Sequence, residues 1–219
     1  MLDAALLSEV DLFRTLPPEA VEHVAAAAQV RTLRRGDVLF HEADPGDELF
    51  VVTSGRIAIA NKSFDGRESV VALMEAGDVF GEMSLFDGQG RSAEARALEP
   101  SKVFAVPFEP LRELFRTQPE LLWGVIELLA RRIRNMDVAL ADSVFLDVTG
   151  RTAKRLLELA GPSDEFQLPI TQEELAGLVG ASRERVNKAI SSFVRLGWME
   201  QHDRRYRITN RVQLERRAR

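Results

Sequence analysis

The sequence predicts an α+β fold in which a jelly-roll-like β-roll is followed by one long helix and a small winged helix-turn-helix domain. Three observations indicate this. Short strands with glycine turns occupy residues 29–106, a long apolar helical seam follows Pro119, and two short helices separated by a glycine follow Thr171. We therefore expect three parts: residues 1–118, 119–146 and 147–219.

The composition excludes several classes of protein. Of the 219 residues, 45% are hydrophobic and 29% are charged, which is typical of a globular chain. There is no cysteine, so disulfides and cysteine-ligated clusters are excluded. The three histidines (His23, His41 and His202) are too scattered for a metal site, so we expect no metal. The most apolar run, Leu121–Ala130, is too short to cross a bilayer, and no signal peptide is evident. The chain is therefore expected in the cytoplasm.

The charges are distributed unevenly along the chain. Residues 148–219 hold 14 Lys and Arg against 9 Asp and Glu, whereas residues 1–147 hold 15 against 25. A basic C-terminal part on an acidic chain indicates contact with a polyanion, although a basic solvated surface explains the charge equally well.

The N-terminal part begins with helices and continues with strands. Leu6, Leu7, Val10 and Phe13 recur at helical spacing, and Pro17–Pro18 open a second short helix. Short apolar or alternating runs follow, separated by turns such as Gly36-Asp37, Asp65-Gly66 and Gly77-Asp78. The predicted strands are Val38–Phe40, Leu49–Thr53, Arg56–Ala60, Ser69–Met74 and Val103–Val106.

A long helix is predicted from Pro119 to about Phe145. Proline suits its first position, and apolar residues recur every three or four residues. This seam consists of Leu122, Ile126, Leu129, Ile133, Met136, Leu140 and Val144. The length, roughly 40 Å at about 1.5 Å per residue, favours a dimerisation helix over an ordinary core-facing helix.

Residues 171–193 predict a helix-turn-helix. Thr171 with Glu174 forms a capping box, Gly180 ends the first helix, and Ser182 caps the second. The second helix keeps its charges on the outside, where Arg183, Glu184, Arg185 and Lys188 lie. Arg can grip guanine with two hydrogen bonds and Glu can accept from cytosine, so this face indicates reading of DNA bases. The alternative is a plain helical hairpin with solvated charges.

A winged hairpin is predicted downstream of these helices. Two strand-like runs, Trp198–Glu200 and Arg205–Ile208, flank a turn at His202–Arg204. Arg204, Arg205 and Arg207 could touch DNA phosphates there, and a solvated turn explains them about as well.

Three segments together resemble the cyclic-AMP receptor/FNR family of bacterial regulators, and the resemblance covers nearly the whole chain. They are Gly81–Phe86 with Arg91–Ala93, then Phe145–Arg151, then Val179–Glu184. The run Gly180–Lys188 is similar to the actinobacterial branch. The resemblance implies a homodimer that binds an inverted repeat of TGTGA-like half-sites, and RNA polymerase as a further partner. The DNA-binding residues expected are Thr171, Gln172, Ser182, Arg183, Glu184, Arg185 and Lys188. Lys188 stands where some relatives have Arg.

The resemblance also implies a cyclic-nucleotide pocket. A helical turn after Gly81 would offer backbone N–H groups to a phosphate, and Arg91 and Ser92 would donate to it. In the family the residue at Glu82 accepts from the ribose. Arg91 could instead form a structural ion pair. The ligand-binding residues expected are Phe80, Gly81, Glu82, Met83, Ser84, Arg91, Ser92, Ala93, Met136 and Asp137.

The base end of this pocket departs from the family. Members that respond to cyclic AMP carry Thr followed by Ser or Asn where this chain has Met136 and Asp137. Asp137 could accept a bond from the adenine amino group, or Met136 could pack in the dimer and the adenine site be lost.

The sequence therefore predicts a DNA-binding regulator and no enzyme, because no nucleophile–base pair, metal cluster or P-loop is evident. Cyclic AMP or a related nucleotide is the expected effector. A regulator without a ligand, or with a different one, is the alternative.

Overall fold

The computed structural model describes residues 7, 10, 12–14, 16–62, 68–203 and 205–219. The chain divides into two compact units. The first comprises Met1–Arg67 and Val71–Ile133, and the second comprises Glu68–Val70 and Arg134–Arg219. The helix expected to begin around Leu6 and the turn at Asp65-Gly66 fall on residues outside the described ranges.

The first unit contains the β-roll that the sequence predicted, apart from residues 68–70, and the roll is built from two four-stranded sheets. One sheet has the order β1 (Gln29–Leu33), β8 (Ser101–Pro107), β3 (Glu48–Ser54), β6 (Val79–Phe80). The other has the order β2 (Val38–Phe40), β7 (Glu94–Ala97), β4 (Ile57–Lys62), β5 (Glu68–Met74). The described strand pairs β1–β8, β3–β6, β3–β8, β2–β7 and β4–β7 are antiparallel.

Strand β3 contains a continuous apolar run rather than an alternating one. Its successive side chains point to opposite faces, and both faces are buried. Leu49 and Val51 join one apolar cluster, whereas Phe50 and Val52 join another. A strand that is buried on both faces requires apolar residues at every position.

Four helices accompany the roll: α1 (Pro18–Ala27), α2 (Met83–Asp87), α3 (Phe108–Thr117) and the long α4 (Leu122–Phe145). The sequence predicted that the long helix begins at Pro119, but Pro119–Leu121 forms a 3₁₀ turn and the α-helix starts at Leu122. Such turns are common at helix starts, where proline is tolerated.

The second unit is the predicted winged helix-turn-helix, with three additional elements. Its helices are α5 (Val148–Ala160), α6 (Gln172–Val179), α7 (Arg183–Arg195) and α8 (Arg211–Arg217). Strands β9 (Glu165–Gln167), β10 (Met199–His202) and β11 (Arg205–Ile208) form one sheet in the order β10-β11-β9. The sequence did not predict α5, β9 or α8. The sequence also favours a hinge at Asp147–Gly150, but in the structure Asp147 caps α5 and the next three residues are helical.

Candidate ligand pocket and nucleic-acid interface

Gly81–Phe86 and Arg91–Ala93 form the cassette that is expected to hold a phosphate, and Arg91 is its central cation. Its side chain is buried and its guanidinium lies 4.4 Å from the centre of the Phe40 ring. Nη1 donates to the carbonyl oxygen of Gly81 at 2.6 Å, and Nη2 donates to that of Glu48 at 2.7 Å. Burial lowers the pKa of this guanidinium, and the nearby carboxylates Asp47 and Glu48 oppose that shift. Backbone carbonyls therefore hold Arg91, and its Nε has no hydrogen-bond partner.

Gly81 makes the approach of Arg91 possible. Its φ of +77° lies in the left-handed region, which glycine adopts without strain. A Cβ built at this position would stand only 2.7 Å from Nη1 of Arg91. Any other residue would both strain the backbone and displace the guanidinium.

Glu82 is the second buried charged group of the cassette. Its Oε1 accepts a hydrogen bond from Arg132 of α4, which also donates to the carbonyl oxygen of Val79. The other carboxylate oxygen, Oε2, is buried without a partner. Burial raises the pKa of Glu82, and the positive charge of Arg132 opposes the rise. The sequence did not predict a role for Arg132.

The other expected ligand residues differ in exposure. Phe80, Ser84 and Ala93 are buried, whereas Met83 and Ser92 are exposed. The Ser92 hydroxyl lies 3.5 Å from the Met83 sulfur. Met136 and Asp137 lie in the part of α4 that belongs to the second unit, where both are exposed. The residues expected to contact the phosphate and the ribose therefore all lie in the first unit. Met136 and Asp137, which are expected to contact the base, lie outside that unit.

A cavity of about 320 Å³ opens beside Arg91. Its lining includes Arg31 and three carboxylates, those of Asp44, Asp47 and Glu48. These acidic walls would repel a phosphate. An anion bound by Arg91 is therefore better placed at the cassette than in this cavity.

The helix-turn-helix has the local geometry that the sequence predicted. Thr171 accepts from the backbone N–H of Glu174, and the Glu174 carboxylate accepts from that of Thr171, which completes the capping box. Gly180 adopts φ +67° and ψ 45° at the end of α6. Ser182 then caps α7 by accepting from the backbone N–H of Arg185. Side-chain caps thus fix the start of each helix, and the left-handed Gly180 makes the turn between them.

The expected DNA-contacting side chains of α7 all face away from the core. Val186, Ala189, Ile190 and Phe193 are buried, while Arg183, Glu184, Arg185 and Lys188 are exposed. Gln172 at the start of α6 is half-buried. In the wing, Arg205 and Arg207 are exposed, and Arg207 lies 3.5 Å from Glu165. Arg204 lies outside the described residues.

The residues that the structure describes contain neither a metal-binding cluster nor a membrane-spanning helix. No group of three or more His, Cys, Asp or Glu side chains stands where it could hold a metal ion. None of the described helices combines the length and the apolar character needed to cross a membrane.

Comparison with known proteins assigns both units. Residues 30–118 match the cyclic nucleotide-binding domain family, and residues 150–217 match the Crp-like helix-turn-helix domain family. A CRP-like cAMP-activated global transcriptional regulator of Mycobacterium tuberculosis is 36% identical over 98% of this chain and 99% of its own. The cyclic AMP receptor protein of Thermus thermophilus is 36% identical over 85% of this chain and 86% of its own.

Solved structures of regulators are also similar to this chain. The catabolite activator protein of Thermus thermophilus superposes with a TM-score of 0.54 at 33% identity, covering 95% of this chain and 98% of that one. The c-di-GMP responsive regulator CLP of Xanthomonas campestris gives 0.77 at 25% identity, covering 88% and 99%. A cyclic-nucleotide-binding domain joined to a helix-turn-helix defines a ligand-controlled, DNA-binding transcription regulator rather than an enzyme. The chain belongs to the Crp/Fnr family of transcription regulators.

Proposed function

We propose that this chain is a homodimeric regulator whose affinity for an inverted-repeat operator is controlled by cyclic AMP or a related cyclic nucleotide. The proposed control by a nucleotide is supported by two buried polar atoms of the cassette that have no hydrogen-bond partner. Oε2 of Glu82 is an acceptor without a donor, and Nε of Arg91 is a donor without an acceptor. Leaving such groups unsatisfied costs about 1–3 kcal/mol each.

A cyclic nucleotide fits both atoms. Its ribose hydroxyl would donate to Oε2 of Glu82, and its phosphate would accept from Arg91 and from the exposed hydroxyl of Ser92. We place Phe80, Gly81, Met83, Ser84 and Ala93 around these contacts, as the residues that shape the cassette. The similarity to cAMP-activated relatives supports the same class of ligand.

The base of the nucleotide is the less constrained part of the proposal. Met136 and Asp137 are the residues that we assign to it by position in the family. Asp137 offers only acceptors when ionised, so it would take hydrogen bonds from an exocyclic amino group. Met136 is apolar and 64% exposed. The second candidate function is therefore control by a nucleotide with a different base. The similarity to a c-di-GMP responsive regulator favours testing this alternative.

Calorimetric titration with cyclic AMP tests the ligand. We expect binding to wild type and to Arg116→Gln, which removes an exposed arginine paired with Glu113 on α3. We expect binding to weaken at least tenfold in Ser92→Ala and Glu82→Gln, since each loses a polar contact of about 1.4 kcal/mol or more. No heat with wild type at millimolar cyclic AMP would contradict this ligand. Cyclic GMP and c-di-GMP in the same titration distinguish a different nucleotide from none.

The proposed DNA binding depends on the side chains on the outer face of α7. We propose that Arg183 and Glu184 read base edges, with Lys188 as a single-point contact to guanine. Thr171, Gln172, Ser182 and Arg185 would hold the phosphate backbone. Arg183→Ala should weaken binding to a TGTGA inverted repeat by about 5- to 150-fold, the loss of one bidentate contact, and should weaken binding to mixed-sequence DNA far less. An equal loss on both duplexes would contradict base reading.

The proposal places the protein in the cytoplasm, where bacterial DNA lies, and gives it RNA polymerase as a partner. In vitro transcription with purified polymerase from a promoter that carries the operator tests this partner. A ligand-dependent change in transcript yield is expected. An unchanged yield on a template that the regulator occupies would contradict it.

A further inference from the structure

A hollow of about 430 Å³ lies between the start of α5 and the outer face of α7, within the second unit. Three cations line it: Arg185, Lys188 and Arg195. Hydroxyl groups of Thr149, Ser191 and Ser192 and the carboxylate of Asp147 complete its polar lining. A concave wall with this charge favours an anion.

The cations of the hollow differ in their pairing from other basic residues of the second unit. In the described part of the chain, the side chains of Arg185, Lys188 and Arg195 form no ion pair. Other basic residues of the same unit do pair: Lys154 with Asp142 at 2.6 Å, and Arg211 with Asp164 at 2.8 Å. Three unpaired cations around one hollow therefore leave a surplus of positive charge there.

Helical geometry places Arg195 on the DNA-facing side of α7. Glu184, Lys188 and Arg195 follow one another at steps of four and seven residues, so they share one face. Arg195 stands in the last turn, about 16 Å along the helix from Glu184. Residues at the start of a recognition helix reach the base edges. The far end of the same face is therefore suited to the phosphate backbone instead.

Asp147, the carboxylate in the lining, has a compensating partner. Its oxygens each lie 2.5 Å from Nη2 of Arg217, on the C-terminal helix α8. The backbone N–H of Gly150 and, next, Arg217 lower the pKa of Asp147, so the carboxylate is ionised at neutral pH. Without Arg217, this negative charge would face any phosphate that enters the hollow.

We propose that the hollow receives the phosphate backbone of the duplex bound by α7. Arg195 is a phosphate contact, and Arg217 acts through Asp147 by compensating its charge. This inference rests on the proposed DNA binding and extends it, because none of Thr149, Arg195 and Arg217 belongs to the residues assigned to DNA above. It also gives α8 a function in DNA affinity.

The salt dependence of DNA binding tests Arg195. Binding is measured at several salt concentrations on a TGTGA inverted-repeat duplex and on a mixed-sequence duplex of equal length. Arg195→Gln should weaken both to a similar degree and reduce the slope of log K against log salt by about 0.9 per lost contact. Arg216→Gln, a change of an exposed arginine on α8, is the matched control and should leave the slope unchanged.

Charge compensation is tested separately on the same two duplexes. Arg217→Gln should weaken binding to both by about two- to tenfold at low salt, and Asp147→Asn in the same chain should restore it. Asparagine is also a good N-cap, so the double variant keeps the start of α5. Circular dichroism of each variant confirms that it is folded.

The outcomes distinguish a failure of the proposed DNA binding from a failure of the proposed role of the hollow. If wild type binds neither duplex, the proposed function fails. If wild type binds and Arg195→Gln keeps the full salt slope, only the phosphate role of the hollow is overturned. If Asp147→Asn does not restore binding to Arg217→Gln, the compensating role of Arg217 is overturned.

Discussion

Arg132 donates to the buried carboxylate of Glu82 and to the carbonyl oxygen of Val79, so one guanidinium ties α4 to the strand that precedes the cassette. Arg132 is itself only partly exposed. The pair holds the carboxylate at the position from which, in our proposal, it binds the ribose.

Removing Arg132 should destabilise the ligand-free protein. Arg132→Met leaves Glu82 buried without a counter-charge, which should reduce the free energy of unfolding by roughly 1–3 kcal/mol. Arg131 is the matched control, because it forms an exposed pair with Glu127 and its loss should cost less than about 0.5 kcal/mol. Urea unfolding followed by circular dichroism measures both. Equal losses for the two variants would contradict the proposed importance of the Glu82 pair.

The raised pKa of Glu82 predicts a pH dependence of stability. Between its ordinary value near 4.5 and the raised folded value, the folded state holds a proton that the unfolded state has released. The contribution of this group to stability is therefore full below about pH 4.5 and is lost as the pH rises through the folded pKa. The free energy of unfolding of wild type minus that of Glu82→Gln should fall over this interval. A difference that rises with pH would show that the pKa is lowered.

The exposed apolar seam of α4 predicts the oligomeric state. Ile126, Ile133, Met136, Leu140 and Val144 are each more than half exposed, and they repeat at the spacing of a helix–helix interface. Leu140→Glu should convert a dimer to monomers in analytical ultracentrifugation, because it buries a charge in the interface. Val138→Glu changes an equally apolar exposed residue on the opposite face of α4, and it should leave the dimer intact. Dissociation by both variants would place the interface elsewhere.

Gly180 has a left-handed backbone conformation, so we expect its substitution to reduce stability through backbone strain alone. A Cβ there would meet no atom within 4 Å, so Gly180→Ala introduces strain without a clash. The variant should lose about 1–2 kcal/mol of stability in urea unfolding, the cost of this conformation for an L-residue. Gly180→Asn should lose less, because asparagine tolerates the left-handed region. An alanine variant as stable as wild type would indicate that the turn relaxes to another conformation.

The local features of this protein were predictable from its sequence. The capping box of Thr171 and Glu174, the glycine at 180 and the apolar positions of α7 depend on residues within one or two helical turns, so their spacing identifies them. Five of the eight described strands of the roll were predicted by their apolar runs and glycine turns, whereas β1, β6 and β7 were not. The start of the long helix was misplaced by three residues, because proline is compatible with both a 3₁₀ turn and an α-helix.

The sequence by itself therefore determined the fold class, the helix-turn-helix and the family resemblance, because these depend on short-range patterns. Only the tertiary structure identified the partners of the charged groups. Glu82 and Arg132 are 50 residues apart, and Asp147 and Arg217 are 70 apart. The physical reason is that many carboxylates and guanidinium groups are available to one another in the chain, and packing alone selects which two meet. The same applies to Arg91, which could have formed an ion pair and instead donates to two backbone carbonyls.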